Sequence, residues 1–253
     1  MDIVNIFPEY FIYELPEVDS TNKYVERQLG LTPFTEGSVI FTNNQTAGIG
    51  QAENKWESEP HKNLIATVVL NPTFLNPSDQ FYLTIVVSLA TCETVDIFLK
   101  NNNTQIKWPN DIYYEHRKIA GILIKNFIMG NNVSICIAGL GLNVNQTKFN
   151  IAPIATSLKL LSGLEYDIPS VLTKWHTLLA QYYQKLKDDK DALRKLYLTK
   201  LYLKDQFFEY KINGKQVTAT ITGIDQHGQL ELADISGKIY ICGLKEIVFP
   251  LLG

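Results

Sequence analysis

Cysteine is scarce in this chain: its 253 residues include only Cys92, Cys136 and Cys242. The three lie far apart in apolar surroundings, without the close spacing that zinc ligands or a redox dithiol require. We therefore expect buried thiols, a reducing compartment and no metal site built from the protein's own side chains.

Neither charge of one sign nor apolar residues are concentrated in a long run. Lys and Arg number 23 against 26 Asp and Glu, which gives a formal net charge of -3, and the basic residues are scattered. General attraction to nucleic acid or to an anionic membrane is therefore not expected. No uninterrupted apolar run of 18 or more residues occurs, and Met1 to Tyr13 lack the features of a signal peptide. We predict a cytoplasmic protein that binds neither nucleic acid nor membrane.

The common phosphate-binding motifs are also missing, since the chain has neither GxxxxGK[ST] nor GxGxxG. It has instead the stretch QTAGIGQAENKW, residues 45–56. Gly48 and Gly50 there let the backbone approach a ligand closely and offer free N–H groups to an anion. Taken alone, such a short motif more often marks a flexible surface turn.

Hydrophobic periodicity predicts both helices and strands. The helices are expected over 22–29, 79–100, 169–186 and 191–203, with Ser20 and Thr21 at the start of the first and Ser78 capping the second. The strands are expected over 37–42, 63–70, 104–108, 118–125 and 133–144, with a hairpin turn at 129–132. Because strands follow one another rather than alternating with helices, we predict the α+β class with a mixed sheet.

The character of the sequence changes between Tyr202 and Phe207. Short β-rich runs follow, punctuated by Asn213-Gly214, His227-Gly228 and Ser236-Gly237. This pattern is typical of a small all-β barrel. We predict a first domain over 1–204 and a barrel domain over 205–253.

Two further stretches contain candidate functional residues. KWPNDI at 107–112 is followed by RKIAGIL at 117–123, and a Pro-Asn-Asp turn between strands would bring Asp111 near Lys118. AGLGLNVN at 138–145 has glycines that remove side chains from one face of a strand, or that mark a strand bulge. Each feature also has an ordinary structural explanation as a turn, a solvated charge or a bulge.

Taken together, in order and spacing, these segments resemble the biotin protein ligase family from about Val18 to the C-terminus. The shared motifs are VDSTN (18–22), QTAG-G (45–50), KWPND (107–111), RK-AGIL (117–123), G-G-N-N (139–145) and ATSL (155–158). The resemblance implies a class II synthetase-like catalytic domain followed by an SH3-like β-barrel. It also implies activation of biotin by ATP to biotinyl-5'-AMP, with Mg²⁺ accompanying the ATP, and transfer to a lysine of a biotin carboxyl carrier protein domain.

The same resemblance assigns roles to individual residues. Lys118 matches the catalytic lysine, which holds the biotin carboxylate against the α-phosphate, and Asp111 matches the acid that orients or deprotonates the incoming amine. Biotin contacts are expected from Ser20, Thr21, Asn22, Gln45, Gly48, Gly50, Lys118, Gly121, Gly139 and Gly141. Nucleotide contacts are expected from Gly50, Gln51, Trp56, Lys107, Asn110 and Asn143, with Trp56 covering the adenine.

The glycine loop departs from the family pattern at Ile49, Ala52 and Glu53, where arginine or glycine is usual. Fewer cations and one added carboxylate in this loop predict weaker ATP binding or faster release of the adenylate. Only about 17 residues precede VDSTN, so we expect no helix-turn-helix domain. Two alternatives stay open, a lipoate-type ligase and a biotin-binding or sensing protein with impaired transfer. Ligases of this kind include homodimers joined at a sheet edge, and the sequence leaves that state open.

Overall fold

The computed structural model describes residues 7, 9–51, 54–150 and 154–252. The helices are α1 (Thr21–Gln28), α2 (Phe81–Leu99), α3 (Leu158–Ser162), α4 (Ile168–Asp188) and α5 (Lys190–Thr199). The strands up to residue 142 are β1 (Ile12–Leu15), β2 (Val39–Thr42), β3 (Leu64–Leu70), β4 (Thr104–Lys107), β5 (Asp111–Tyr114), β6 (Arg117–Met129) and β7 (Asn132–Leu142). The remaining strands are β8 (Phe207–Ile212), β9 (Lys215–Ile224), β10 (Leu230–Asp234), β11 (Ile239–Cys242) and β12 (Ile247–Val248).

The first seven strands form one sheet in the order β1-β2-β3-β7-β6-β5-β4. Only β1 and β2 pair in parallel, and the other neighbours are antiparallel. The predicted mixed sheet and the α+β class are confirmed. The hairpin predicted at 129–132 is also confirmed, because Met129 at the end of β6 pairs with Asn132 at the start of β7.

One face of this sheet is covered by α2 and α4, which form the main hydrophobic core with it. Alternate residues of β3, among them Leu64, Ala66 and Val68, point into that core and are fully buried. The segment Pro77–Leu99 is long and apolar enough to cross a membrane, but 67% of its most apolar window is buried inside the protein. That degree of burial is typical of a core helix.

The start of α2 differs from the prediction. A short 3-10 helix, Pro77–Asp79, includes Ser78, and Gln80 is the residue that caps α2, without a side-chain hydrogen bond. The expected cap at Ser78 is therefore wrong, because Pro77 starts a separate turn before the α-helix begins.

The opposite face of the sheet is covered only in part, by α1. Val25 of this helix packs against Ile40, Val69 and Ile137 in a small second core. Ser20 caps α1, because its Oγ accepts a hydrogen bond from the backbone of Lys23. Since α1 has only 8 residues, it leaves the neighbouring part of this face open, with its own N-terminus at the edge of the opening.

The last five strands form a separate antiparallel sheet in the order β11-β10-β9-β8-β12. Asn213 and Gly214 both have positive φ, 47° and 82°, as the two central residues of a type I′ hairpin turn require. The sheet is consistent with the expected SH3-like unit. Trp108 ties it to the larger sheet, since its indole N–H donates to the carbonyl of Gly228 at 2.8 Å. The division between residues 204 and 205 stays a prediction.

Candidate active site

The floor of the open sheet face consists of two rows of residues that run across neighbouring strands. The first row is Asp111, Gly121, Gly141 and Ile65, and the second row is Leu123, Gly139 and Thr67. Residues directly opposite one another in an antiparallel ladder project from the same face. Three of the seven are glycines, so the floor is lowered where the rows cross β6 and β7. The register of β3 with β7 shows no bulge at Gly139 or Gly141, which excludes the bulge alternative.

Trp56 occupies the depression above the first row. A Cβ on Gly141 would lie 2.3 Å from Cε2 of Trp56, and a Cβ on Gly121 would lie 3.0 Å from its Cζ3. The indole can lie this close to the sheet only because both positions are glycine. Its Nε1 is buried and has no hydrogen-bond partner. Trp56 therefore brings an unused donor to the pocket floor.

The second row ends at a buried polar network at the N-terminus of α1. A Cβ on Gly139 would lie 2.3 Å from Oδ1 of Asn22, so this glycine makes room for the asparagine side chain. The Nδ2 of Asn22 donates to the carbonyl of Leu123 at 3.0 Å. The hydroxyl of Thr67 lies 2.6 Å from Oδ1 of Asn22 and 2.7 Å from Oγ1 of Thr21. This end of the pocket thus has several hydrogen-bonding groups at fixed positions.

Gln45 and Ser20 complete the polar end. The side-chain Oε1 of Gln45 accepts a hydrogen bond from the backbone N–H of Thr21 at 3.0 Å. This contact links the glycine loop to the start of α1. Thr67 was missed by sequence reasoning, although it is the single polar residue in the apolar run of β3, a signal that could have identified it.

Lys118 and Asp111 face each other at the other end of the floor. The β5–β6 hairpin brings Lys118 Nζ to 2.6 Å from Asp111 Oδ1, and the side chains are 27% and 28% exposed. The predicted proximity of these two residues is confirmed. Lys118 Nζ also lies 5.5 Å from the centre of the Trp56 ring. The backbone of Lys118 bonds to the carbonyl of Ile154 and the N–H of Thr156, which anchors the ATSL segment beside the pocket.

These groups share one pocket, which we call the central pocket. Its lining is Ser20, Thr21, Asn22, Gln45, Ile49, Gly50, Gln51, Trp56, Ile65, Asn110, Asp111, Lys118, Gly121, Ile122, Leu123, Gly139, Leu140 and Gly141. Among these described residues Lys118 is the only Lys or Arg. The apolar members Ile65, Ile122, Leu123 and Leu140 were not predicted, because apolar residues in strands also line every core.

The glycine loop is folded back on itself. The N–H of Gly50 donates to the carbonyl of Asn54 at 2.6 Å, and the N–H of Trp56 donates to the carbonyl of Gly48 at 3.0 Å. The prediction of a free Gly50 N–H for an anion is therefore wrong for this conformation. Gly48 makes room for the carbonyl of Trp56, 2.5 Å from where its Cβ would lie, and it does not line the pocket. Ala52 and Glu53 lie outside the described residues.

Two predicted nucleotide contacts also lie outside the central pocket. Lys107 Nζ donates to the Tyr113 hydroxyl at 3.2 Å and lies 5.2 Å from the ring centre of Phe249 in the C-terminal segment. Burial lowers the pKa of Lys107 below its usual range. Asn143 is buried and donates through Nδ2 to the carbonyl of Thr156 at 2.9 Å, while its Oδ1 has no partner. Both residues hold neighbouring segments in place here. The prediction missed this because the sequence motif gives their position along the chain but not the direction of the side chain.

The three cysteines are buried and unpaired, as predicted. Burial raises the pKa of Cys92 to about 12, so its thiol stays protonated at neutral pH. Within the described part of the chain, no group of three or more His, Cys, Asp or Glu side chains could hold a metal ion.

The family model described as the biotin/lipoate A/B protein ligase family matches residues 15–143, just over half of the chain. The chain belongs to this family. Its sequence is 30% identical over 172 residues to the bifunctional ligase/repressor BirA of Bacillus spizizenii, covering 66% of this chain and 51% of that protein. It is 27% identical over 256 residues to the chloroplastic biotin–protein ligase 1 of Arabidopsis thaliana, covering 94% of this chain and 66% of that protein. The chain thus spans about half the length of the bacterial BirA relatives it matches.

The fold is similar to that of a solved biotin protein ligase from Aquifex aeolicus in complex with biotin and ATP. The TM-score is 0.78 at 23% identity, covering 94% of this chain and 97% of that one. At this level of identity the similarity shows the shared fold, including both sheets. The matched family region contains every residue of the central pocket.

Proposed function

We propose that this protein activates biotin with ATP to biotinyl-5'-AMP and transfers the biotinyl group to a lysine of a biotin carboxyl carrier domain. The observation that carries the proposal is the position of Lys118. Its ammonium lies at 2.6 Å from the Asp111 carboxylate, in a pocket whose far end has a network of neutral polar groups. The chemistry of these two ends matches a ligand with one neutral polar ring and one carboxylate.

The polar end of the central pocket favours biotin over lipoate. The hydroxyls of Thr21 and Thr67 and the amides of Asn22 and Gln45 are neutral donors and acceptors, which match a ureido ring. A dithiolane ring offers such groups no comparable partner, and a buried polar group left unsatisfied costs about 1–3 kcal/mol. The apolar residues Ile65 and Leu123 can pack against the rest of the bicycle.

In the activation step, the biotin carboxylate attacks the α-phosphate of ATP and pyrophosphate leaves. Lys118 would neutralise the carboxylate and the α-phosphate as they approach, and would stabilise the charge that develops in the transition state. Trp56 would cover the adenine, and its Nε1, which has no hydrogen-bond partner within the protein, would be available to the ligand. Asp111 is the only carboxylate in the described lining, so Mg²⁺ would arrive bound to the ATP phosphates rather than in a cage of protein ligands.

In the transfer step, the lysine amine of the carrier attacks the acyl carbon and AMP leaves. The amine must be neutral to attack, and Asp111, the carboxylate of the described pocket lining, would accept its proton. Because Lys118 is within hydrogen-bonding distance of Asp111, ligand binding that engages the ammonium would free this carboxylate for the second step.

Ile49 stands where the family usually has arginine, and this difference affects how tightly the pocket would hold its ligands. Ile49 lines the central pocket, and the neighbouring Gly50 N–H is used within the loop. We propose that the pocket holds ATP or biotinyl-AMP less tightly than a loop with arginine would. An Ile49→Arg variant should release biotinyl-AMP more slowly. Equal release rates in the variant and the wild type would contradict this.

The test of the function is biotin-dependent exchange of labelled pyrophosphate into ATP, followed by labelling of a purified carrier domain. We expect exchange with biotin and none above background with lipoate or octanoate. Exchange with lipoate instead would identify a lipoate-type ligase. Biotin binding in a calorimeter, with neither exchange nor labelling, would identify a biotin-binding or sensing protein. Cytoplasmic location and the absence of nucleic-acid and membrane binding stay predictions, and the oligomeric state stays open.

A further inference from the structure

A second cavity adjoins the central pocket, between the large sheet and the C-terminal sheet. It is open to solvent, and we call it the side cleft. Its lining is Gln51, Gln80, Phe81, Thr84, Trp108, Pro109, Asn110, Ile122, Leu123, Ile124, Asn126, His227, Gly228, Gln229, Gly243 and Leu244. Gln51, Asn110, Ile122 and Leu123 line both cavities. The side cleft therefore leads directly to the residue beside Asp111.

The described lining of the side cleft combines apolar side chains with uncharged amides. The five side-chain amides come from Gln51, Gln80, Asn110, Asn126 and Gln229, and the same lining contains one histidine, His227, and no Asp, Glu, Lys or Arg. A triphosphate or pyrophosphate is bound by cations or by clustered N–H donors, and the described lining offers no Lys or Arg. Neutral amides instead match the alternating N–H and C=O groups of a polypeptide backbone.

One of these amides has an unused acceptor. Asn126 donates through Nδ2 to Oε1 of Gln80 at 3.1 Å, while its own Oδ1 is buried and has no partner. A buried polar atom without a partner is costly, unless a ligand satisfies it in the working state. An N–H group of a chain lying in the cleft would satisfy this oxygen.

Hydrogen bonds within the protein hold both walls of the side cleft in place. On the C-terminal wall, Asp225 Oδ1 accepts hydrogen bonds from the backbone N–H groups of His227 and Gln229, both at 2.8 Å. On the other wall, Asn110 is bonded to the backbone of Ile122. The indole of Trp108 joins the two walls through the carbonyl of Gly228. A cleft fixed in this way is ready to receive a chain without first reorganising.

We propose that the side cleft binds the backbone of the extended acceptor segment that carries the target lysine. The lysine side chain would then pass Asn110 and reach Asp111 in the central pocket. Leu244, which is 51% exposed, lies on the rim as an apolar contact for the same segment. This inference rests on the proposed transfer function and adds to it the surface that selects the acceptor. Because the cleft has no charged lining among its described residues, recognition there depends little on ionic strength.

The experiment compares the full-length wild type with a Gln80→Ala/Gln229→Ala double variant in three reactions. These are biotin-dependent pyrophosphate exchange, transfer to a purified carrier domain, and transfer of the activated biotin to hydroxylamine. We expect the KM for the carrier to rise about 30-fold, the loss that follows from removing two neutral hydrogen bonds at about 1 kcal/mol each. Exchange and hydroxylamine transfer should stay within about twofold, since neither needs a bound polypeptide.

The matched control is a Gln184→Ala/Gln216→Ala double variant. These glutamines lie on α4 and β9, and neither lines the side cleft. The control should keep the wild-type KM for the carrier. Repeating the carrier assay at high salt should change this roughly 30-fold ratio of KM values by less than about twofold, because screening acts on charges.

Two results would overturn the inference. An unchanged KM for the carrier would show that the cleft does not bind the acceptor. An equal loss of rate in all three reactions would show that the cleft acts on biotin or ATP rather than on the acceptor. Failure of the proposed function is a different result, in which the wild type itself neither exchanges pyrophosphate nor labels the carrier.

Discussion

The glycine floor of the central pocket allows its two ends to be perturbed separately by adding one methyl group. In Gly139→Ala, the new Cβ would lie 2.3 Å from Oδ1 of Asn22, so the amide must move and its hydrogen bonds to Thr67 and Leu123 are strained or lost. Two neutral hydrogen bonds at about 1 kcal/mol each give about 2 kcal/mol. We therefore expect biotin affinity to fall roughly 30-fold.

In Gly141→Ala, the new Cβ would lie 2.3 Å from the Trp56 ring instead, so the indole must leave the floor. Biotin affinity should change little, while ATP affinity in the presence of biotin should fall about tenfold or more, since the displaced ring could no longer make the adenine contact proposed for Trp56. Isothermal titration calorimetry with biotin, and then with a non-hydrolysable ATP analogue, measures both.

The matched control is Gly223→Ala in β9, where the nearest atom to the new Cβ is 3.6 Å away, an ordinary contact. Circular dichroism melts confirm that each variant is folded, because overpacking costs roughly 1–3 kcal/mol. The reasoning is refuted if folded Gly139→Ala binds biotin as tightly as the wild type, or if both floor variants lose the same ligand.

Three further predictions concern other parts of the molecule. Asp111→Asn should slow transfer to the carrier by about 100-fold and slow pyrophosphate exchange much less, because the proposed base acts on the incoming amine. Rapid-quench kinetics from preformed biotinyl-AMP measure the transfer step alone. Equal slowing of transfer and of exchange would contradict this prediction. Lys107→Met should lower stability by about 1 kcal/mol through the lost Tyr113 and Phe249 contacts and leave ATP affinity within about twofold; urea melts and calorimetry decide between this and a nucleotide contact. Burial lowers the pKa of His176, so the folded state keeps it neutral while the unfolded chain takes up a proton below about pH 6.5. Stability should thus fall as pH drops below that value, and a His176→Gln variant should show a shallower fall in urea melts between pH 7 and 5.

The parts of the fold that were predicted are those with strong local periodicity. The runs in α2, α4, β3 and β7 repeat apolar residues over many positions, and each lies within a few residues of its predicted bounds. β1 was missed because its four residues, IYEL, form an edge strand that is mostly exposed and therefore has no buried alternation. β5 was missed. The predicted Pro-Asn-Asp turn included Asp111 and was expected to lead to the strand of Lys118, whereas the structure has Asp111 as the first residue of β5, which itself pairs with β4.

The part of the candidate site that was predicted is the part formed by residues close together in the sequence. Asp111 and Lys118 lie on strands joined by a short hairpin, so their meeting could be inferred from spacing. The position of Thr67 could not, because it depends on the pairing of β3 with β7, and these strands are separated by more than 60 residues. For the same reason the sequence could not show that Lys107 turns toward Phe249.

The proposed mechanism depends most on the ammonium of Lys118, which would stabilise the transition state of the activation step. Its most direct test is transfer of labelled biotin to a purified carrier domain with ATP and Mg²⁺, comparing Lys118→Ala with Lys125→Ala. Lys125 lies on the same strand and pairs with Glu26 at the surface at 2.7 Å, so it is a matched control. We predict that labelling falls at least about 100-fold in Lys118→Ala, as expected when a transition-state charge loses its partner, and is unchanged in Lys125→Ala. Equal labelling by Lys118→Ala and the wild type would contradict the mechanism.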